Sequence, residues 1–403
     1  MKFIHAADLH LDSPFLGLTS LPAQLAARVR RSTFDAATKI FDRALAEHVD
    51  FVLLAGDLFD RAEQSVAAQA YLFDQFTRLQ TAQIPVVISF GNHDYATDQH
   101  QVVAYPDNVT VFGPQVTTTT LTLGSGETVA ISGFSYPQRW VTADVAATYP
   151  AHAATDWHIG MLHGAVTTGG VNDHYAPFTL AELQPKHYDY WALGHIHQHQ
   201  VLATQPPIVY AGNPQGRAVN ETGARGAYLV TSRGRQLVPT FFPTAVLAWE
   251  TATLTTQATT LVALGRAVVT WLTEHPAQLP TLTALTIKTT QPLSATDQAR
   301  LADWPTLLQR TQRAALQAAQ RYFVRLTVHA TTTPLAAPQL DQDYWARGAA
   351  QVFTPANLQT VFGKLTQEPS LADWLEQVAP QDLQQAASQR LNQWLRGEHT
   401  DVS

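Results

Sequence analysis

Apolar runs of six or seven residues alternate with longer amphipathic stretches over the first ninety residues. Lys2 to Ala7, Val49 to Ala55 and Pro85 to Phe90 are apolar almost throughout. Such runs suit strands that are buried on both faces. Between the first two, Leu21 to His48 places Ala, Leu, Ile and Phe on one face, with Arg28, Arg30, Arg31 and Lys39 elsewhere. That spacing predicts a helix. Ser65 to Gln83 predicts a second helix, with Ser65 as its N-cap. The order β-α-β-α-β predicts a parallel core sheet.

The rhythm then changes. Val116 to Leu123 and Thr128 to Phe134 flank Gly124-Ser125-Gly126, the pattern of a hairpin. Trp157 to Leu162, Tyr188 to Leu193 and Ile208 to Ala211 are short apolar strands. Gly226 to Thr231 and Gln236 to Phe242 form a last pair. So many later strands predict a second sheet packed on the first. Near residue 245 the pattern restarts. Strands at Leu247 to Leu254, Leu282 to Thr289 and Phe323 to His329 are separated by helical stretches at 257–274 and 296–320. This predicts a small α+β domain. Beyond Pro334 and Pro338 the chain turns helical, and a last helix gathers Leu383, Ala386, Ala387, Leu391, Trp394 and Leu395 on one face. The expected division is therefore 1–245, 246–335 and 336–403.

Composition narrows the chemistry. The 403 residues exceed one comfortable core. Charged residues make up 14%, well below the roughly 25% of an average domain. There is no cysteine, which excludes disulfides and thiolate metal sites and suits a reducing compartment. The sixteen histidines are the soft ligands that remain. Met1 to Asp8 lacks the apolar run of a signal peptide, and no stretch reaches the roughly twenty apolar residues of a membrane span. The expectation is a soluble, cytoplasmic protein with no membrane partner. Net charge is −7, which does not advertise a nucleic-acid binder. Its distribution says more: residues 246–335 hold seven Lys and Arg against four acids, and only this segment is net positive.

Five short motifs share one context. Asp8-Leu9-His10, Gly56-Asp57-Leu58-Phe59-Asp60, Gly91-Asn92-His93-Asp94, His163-Gly164 and Gly194-His195-Ile196-His197 each follow an apolar strand. In an open α/β sheet that carboxyl edge is where ligands bind. Any one of these motifs is as easily a surface turn. Five in the same position deliver Asp, His and Asn side chains to one spot. Mixed oxygen and nitrogen donors suit Mn, Fe or Zn better than Ca or Mg. One carboxylate can bridge two cations roughly 3.5–4 Å apart.

These motifs resemble the calcineurin-like metallophosphoesterase superfamily. Ala6-Ala7-Asp8-Leu9-His10-Leu11-Asp12-Ser13-Pro14-Phe15, Ala192-Leu193-Gly194-His195-Ile196-His197, Gly212-Asn213-Pro214-Gln215-Gly216-Arg217 and Asn220-Glu221-Thr222-Gly223 resemble its SbcD-like nuclease branch, and within it the YhaO-type DNA repair exonucleases. The resemblance is strong over residues 1–245 and rests on domain arrangement beyond them. It implies two packed mixed β-sheets flanked by helices, a four-layer α/β sandwich, with a small cap and a helical carboxyl-terminal segment. It implies two divalent cations, Mn2+ first, with Fe or Zn as alternatives. Asp8, His10, Asp57 and His197 would hold one, and Asp57, Asn92, His163 and His195 the other. His93 would face the scissile phosphate as a general acid, with Asp60 as its carboxylate partner. Asp12 stands where a glycine is common and reads as a turn residue. Arg61 and Arg217 divide evenly between gripping phosphate and capping or pairing locally. His5, His152, His158, His174, His187 and His199 lie outside every motif and read as ordinary core or loop residues.

The implied activity is DNA exonuclease action in repair, with DNA as substrate. The implied partner is an SbcC-like coiled-coil ATPase bound through the carboxyl-terminal helices. Homodimerisation is left open. A phosphatase or cyclic-nucleotide phosphodiesterase shares the same core and is the second reading. A non-catalytic DNA or partner scaffold is the third, and the full ligand set argues against it.

Overall fold

The computed structural model describes residues 1–15, 18, 21–95, 104–167, 174–329, 347–348, 350–363, 383–384 and 387. The chain opens with β1 (Lys2–Ala6), α1 (Ala23–Glu47), β2 (Phe51–Ala55), α2 (Val66–Thr81), β3 (Val86–Ser89) and β4 (Val109–Val111). These four strands pair in parallel. Ser65 caps α2 as expected, accepting from the Ala68 N–H at 3.2 Å. Next come β5 (Thr117–Thr122), β6 (Thr128–Gly133), β7 (Trp157–His163), the short α3 (Leu180–Leu183), β8 (Tyr190–Gly194), β9 (Gln200–Thr204) and β10 (Pro207–Tyr210). They build a second sheet in the order β5-β6-β7-β8-β10-β9. Then β11 (Gly226–Arg233) returns antiparallel to β1, and β12 (Gln236–Pro243) pairs antiparallel with β11. The first sheet thus reads β12-β11-β1-β2-β3-β4.

Alternation along the strands explains the layers. Phe3, Phe51, Leu53 and Val87 point into a core between the sheets, against Ile131, Trp157, Ile159 and Tyr190. Ile4, Val52, Leu54 and Ile88 point the other way, onto Ile40, Phe41, Leu72 and Phe76 of the helices. A strand covered on both faces must be apolar at every position, which is why these runs are legible. A third cluster, with Phe134, Trp191, Leu193 and Tyr210, backs the second sheet. The protein is α/β, with two large mixed sheets face to face and helices outside them.

Two strands have no counterpart in the sequence reading. β4 is only three residues long, and β9 is a largely exposed edge strand. Neither carries an apolar run.

The third sheet joins β13 (Ala248–Thr256), β14 (Thr281–Thr289) and β15 (Arg321–His329), all parallel. Its crossovers are α4 (Leu261–Glu274) and a chain of short helices, α5 (Ala295–Gln298), α6 (Trp304–Thr311) and α7 (Arg313–Ala319). The single helical stretch expected at 296–320 is therefore broken. Pro305 lies in the first turn of α6, where its missing N–H costs nothing, but it cannot continue a helix from upstream. Leu264, Val268, Leu285, Ile287, Trp304 and Phe323 form this sheet's core. A further cluster of Phe15, Leu25, Val29, Leu247, Trp249 and Leu282 seats the sheet on α1.

The chain divides into two compact units, Met1–Ala330 and Thr331–Ser403. In the second, α8 (Pro355–Phe362) is capped by Thr354, whose hydroxyl accepts from the Asn357 N–H at 3.3 Å. The amphipathic pattern ending at Trp394 and Leu395 lies outside the described residues, apart from Leu383, Gln384 and Ala387. Among the described residues no helix is long and apolar enough to cross a membrane.

Gly160 on β7 lies opposite Trp191 on β8. A Cβ added there would stand 2.2 Å from the buried indole. Overpacking of this kind costs roughly 1–3 kcal/mol. Gly160→Ala is expected to lower the thermal midpoint by several degrees, read by circular dichroism.

Candidate metal centre

Five loops leave the carboxyl ends of β1, β2, β3, β7 and β8 and meet at one edge. The first two run side by side. The Asp8 N–H donates to the Gly56 carbonyl at 3.0 Å, His10 N–H to Asp57 O at 3.0 Å, and Leu11 N–H to Leu58 O at 2.9 Å. Asp94 clamps the third loop to the second. Its carboxylate accepts from the Leu58 N–H at 2.6 Å and from the Gly91 N–H at 2.7 Å. Burial, and then the Asp57 carboxylate, push Asp94 up to about 7.

The structure brings all seven expected ligands together. His10 Nε2 lies 3.1 Å from His197 Nε2 and 3.7 Å from Asp57 Oδ2. His163 Nε2 lies 3.3 Å from Asp57 Oδ2 and 3.1 Å from Asn92 Oδ1. His195 Nδ1 lies 3.2 Å from the same Asn92 oxygen, and its N–H donates to Asp8 Oδ1 at 3.0 Å. Three overlapping trios have ligand atoms mutually within 4.8 Å: Asp8, His10 and His197; Asp8, Asp57 and His163; His10, Asp57 and His93. Asp8, His10 and Asp57 each enter two of them.

Several local features serve this convergence. Asp8, His10, Asp57 and His195 all have positive φ, between 42° and 98°. That backbone region is costly for residues with a Cβ and recurs at functional sites. It turns each side chain sharply off the strand that precedes it. A Cβ on Gly91 would stand 2.3 Å from Asp57 Oδ1 and 2.6 Å from His163 Nε2, so glycine there is a steric requirement.

The donor chemistry fits divalent cations. Asp8, His10, Asp57 and His163 are buried. Burial, then positive neighbours led by Arg217, hold His10 well below its usual pKa. Burial, then His163, lowers His195 to about 3. Both are neutral imidazoles, the ligating form. Burial opposes the Asp57 charge, but His163 and His93 outweigh it and keep the carboxyl well below its ordinary range. Burial likewise opposes charge on His163, yet Asp57 and Asp8 raise it to about 9. The pocket is negative enough to draw positive charge into itself. Two imidazoles are also oriented from behind. His163 Nδ1 meets Ala55 O at 3.0 Å, and His197 Nδ1 meets Glu221 Oε1 at 2.6 Å. With Nδ1 held in this way, each ring turns Nε2 into the site, the usual arrangement of a metal-ligating histidine.

The remaining candidates fall as follows. His93 donates its backbone N–H to Asp57 Oδ1 at 2.9 Å. Its Nδ1 meets Asp60, but at the backbone oxygen, 2.9 Å away. The Asp60 carboxylate is hydrogen-bonded to Arg217 instead and stands 3.7 Å from His10 Nδ1. Arg217 is thus held locally. Arg61 is exposed, and its carbonyl accepts from the Gln64 N–H at 3.1 Å. Asp12 has φ 63° in a turn. His5 lies in the core against the Tyr190 hydroxyl at 2.9 Å, and His158 against Ser132 Oγ at 2.8 Å. Asp94 and Glu221 stand within sequence motifs, yet the sequence alone gives them no role. Only their partners, brought from distant loops, reveal one.

The profile of the family described as calcineurin-like phosphoesterase matches residues 1–199. The chain is 42% identical over 271 residues to YhaO of Bacillus subtilis, described as an uncharacterized metallophosphoesterase, covering 66% of each chain. It is 26% identical over 237 residues to the DNA double-strand break repair protein Mre11 of Thermoplasma acidophilum, covering 57% of this chain and 61% of that one. It is 22% identical over 259 residues to the SbcD component of the SbcCD nuclease of Bacillus subtilis, covering 55% and 64%. The matches span about two thirds or less of these relatives' own lengths.

The steric requirement at Gly91 gives a direct test. Gly91→Ala is expected to weaken metal binding at least about tenfold, or roughly 1.4 kcal/mol, in a Mn2+ titration. Gly113→Ala, where an added Cβ meets nothing within 4 Å, is expected to leave it unchanged.

Proposed function

Because residues 1–199 carry a calcineurin-like phosphoesterase domain, we propose that the protein is a two-metal DNA exonuclease acting in repair. The convergence of Asp8, His10, Asp57, Asn92, His163, His195 and His197 carries the hydrolase part of this reading. In the proposed arrangement Asp8, His10, Asp57 and His197 hold one cation. Asp57, Asn92, His163 and His195 would hold the other. Mn2+ suits this donor set, as do Fe and Zn. Bound there, the cations supply Lewis acidity that offsets phosphate charge and acidifies water near neutral pH.

The chain's own groups do the rest. The oxygen of water forms a bond to phosphorus, losing a proton to solvent, as the ester P–O bond breaks. The leaving sugar oxygen needs a proton, and His93 is placed to give it. The Asp60 carbonyl accepts the Nδ1–H of His93, so the proton given to the leaving oxygen would be the second one, on Nε2 of the imidazolium, and the ring returns to its Nδ1–H tautomer once that proton is gone. Asp60 contributes through this carbonyl, and its carboxylate anchors Arg217.

Two observations favour DNA over a small phosphoester. Two of the relatives are named as a DNA repair protein and a nuclease component. A cleft of about 540 Å³ also opens between the start of α1 and helices α6 and α7, with a smaller one of about 340 Å³ beside it. Arg28, Arg310 and Arg313 line them, and no acidic residue does. Residues 246–335 would then act as a cap on the catalytic domain of residues 1–245. Residues 336–403 are the proposed seat of an SbcC-like ATPase, supported by the relative that is part of SbcCD.

The test is end-labelled duplex DNA with Mn2+. Progressive shortening of the labelled strand is expected, with affinity that falls as salt rises because phosphate contacts release counterions. His93→Ala is expected to lose roughly a hundredfold or more in rate while keeping its bound metal. Equal loss of metal would remove His93 from the proton-transfer role. Turnover of a generic diester without DNA binding would favour a phosphatase or cyclic-nucleotide phosphodiesterase.

A further inference from the structure

The loop from Gly212 to Glu221 touches the metal centre on one side and the three-stranded parallel sheet on the other. On the metal side, Glu221 receives His197 Nδ1 on one oxygen. Its other oxygen accepts from Asn213 Nδ2 at 2.7 Å and from the Arg217 N–H at 2.6 Å. The Arg217 guanidinium bonds Asp60 and lies 3.8 Å from Glu221 Oε1. Burial disfavours the Arg217 charge, but Glu221 and Asp60 outweigh it and raise its pKa. On the far side, Trp249 of β13 donates its indole N–H to Gly216 O at 2.7 Å. The Gln215 side chain accepts from the Val246 N–H and donates to Leu247 O, both at 2.9 Å. There is no slack between the two sides. A Cβ at Gly216 would stand 2.7 Å from Glu221 O and 3.0 Å from Trp249 Cδ1.

We propose that Glu221 and Arg217 are positioning residues for hydrolysis, and that Trp249 and Gln215 link the seat of the three-stranded sheet to them. Glu221 fixes the imidazole of His197, a proposed metal ligand. Arg217 fixes Asp60, whose carbonyl fixes His93, the proposed proton donor. One loop therefore sets both imidazoles, and its far end is held by the linker before β13 and by β13 itself. A shift of the sheet moves the loop, and the loop moves the two imidazoles. The inference rests on the metal-hydrolase reading above.

Glu221→Ala, Glu221→Gln, Arg217→Lys and Trp249→Phe in the full chain separate positioning from bulk stability. Each is followed by Mn2+ titration, by kcat and KM on labelled DNA, and by thermal melting. Glu221→Ala is expected to weaken Mn2+ binding by roughly 10–100-fold, and Glu221→Gln to recover part of that loss. Arg217→Lys is expected to lower kcat with little change in KM. Trp249→Phe keeps the packed ring and removes one N–H. It is expected to lower both Mn2+ affinity and kcat by more than threefold at temperatures where the protein stays folded. Melting shifts alone, with Mn2+ affinity and kcat within twofold of wild type in all four, would overturn the proposal. Wild-type protein that binds Mn2+ and cuts DNA while the variants match it would overturn this inference and spare the function. Wild-type protein that binds no Mn2+ would overturn both.

Discussion

The structure depends on holding two buried carboxylates, Asp8 and Asp57, among four imidazoles at one sheet edge. Unpaired buried charge is costly, and a group so placed pairs, ligates or neutralises itself. Here the surroundings supply all the means short of a cation. Backbone N–H groups of His93 and His195 donate to the two carboxylates. His163 leans towards positive charge, while His10 and His195 remain neutral. Four residues accept left-handed backbone angles to reach these positions, at a cost of roughly 1–3 kcal/mol each. Such strain persists only where the scaffold over-determines it. The scaffold does so through inter-loop backbone hydrogen bonds and through strands that are fixed on both faces by packing.

That packing also decides what can be read from the sequence. β1, β2, β3, β7 and β8 are covered on both sides, so they appear as unbroken apolar runs ending in polar motifs. Element type and ligand identity are therefore both visible. β9 is not, because an edge strand such as Gln200–Thr204 buries little and its composition looks like a loop. The break between α6 and α7 is hidden because helical periodicity survives a one-residue interruption at Gln312. Around the site, what stays hidden is pairing. Asp94, Glu221 and Arg217 act on residues 24 to 157 positions away. Spacing along a chain reports faces of one element and says nothing about which distant carboxylate an arginine will meet.

The contact between the two large sheets and the third has two parts of different character. Phe15, Leu25, Val29, Leu247, Trp249 and Leu282 make an apolar seat, which is strong but undirected. The bonds from Trp249 and Gln215 to the Gly216 and Leu247 carbonyls are directional. An apolar seat alone tolerates sliding. Added to it, buried hydrogen bonds select one register, because a slip would leave buried carbonyls unpaired at roughly 1–3 kcal/mol each. The seat supplies affinity between the two parts, and the polar contacts supply position.

The partner of Asp60 follows from the same electrostatic reasoning. Its carboxylate has two candidate cations, an imidazolium at His93 and the guanidinium of Arg217. Arginine is charged at every working pH and presents a planar fork to carboxylates, whereas histidine must first bind a proton. Arg217 is itself buried between Asp60 and Glu221, so losing either acid would strand a buried positive charge. The pairing Glu221–Arg217–Asp60 is therefore the lower-energy arrangement, and it leaves His93 a neutral carbonyl as its acceptor. The carbonyl of Asp60 is thus left to orient the His93 ring, while its carboxylate is kept for Arg217.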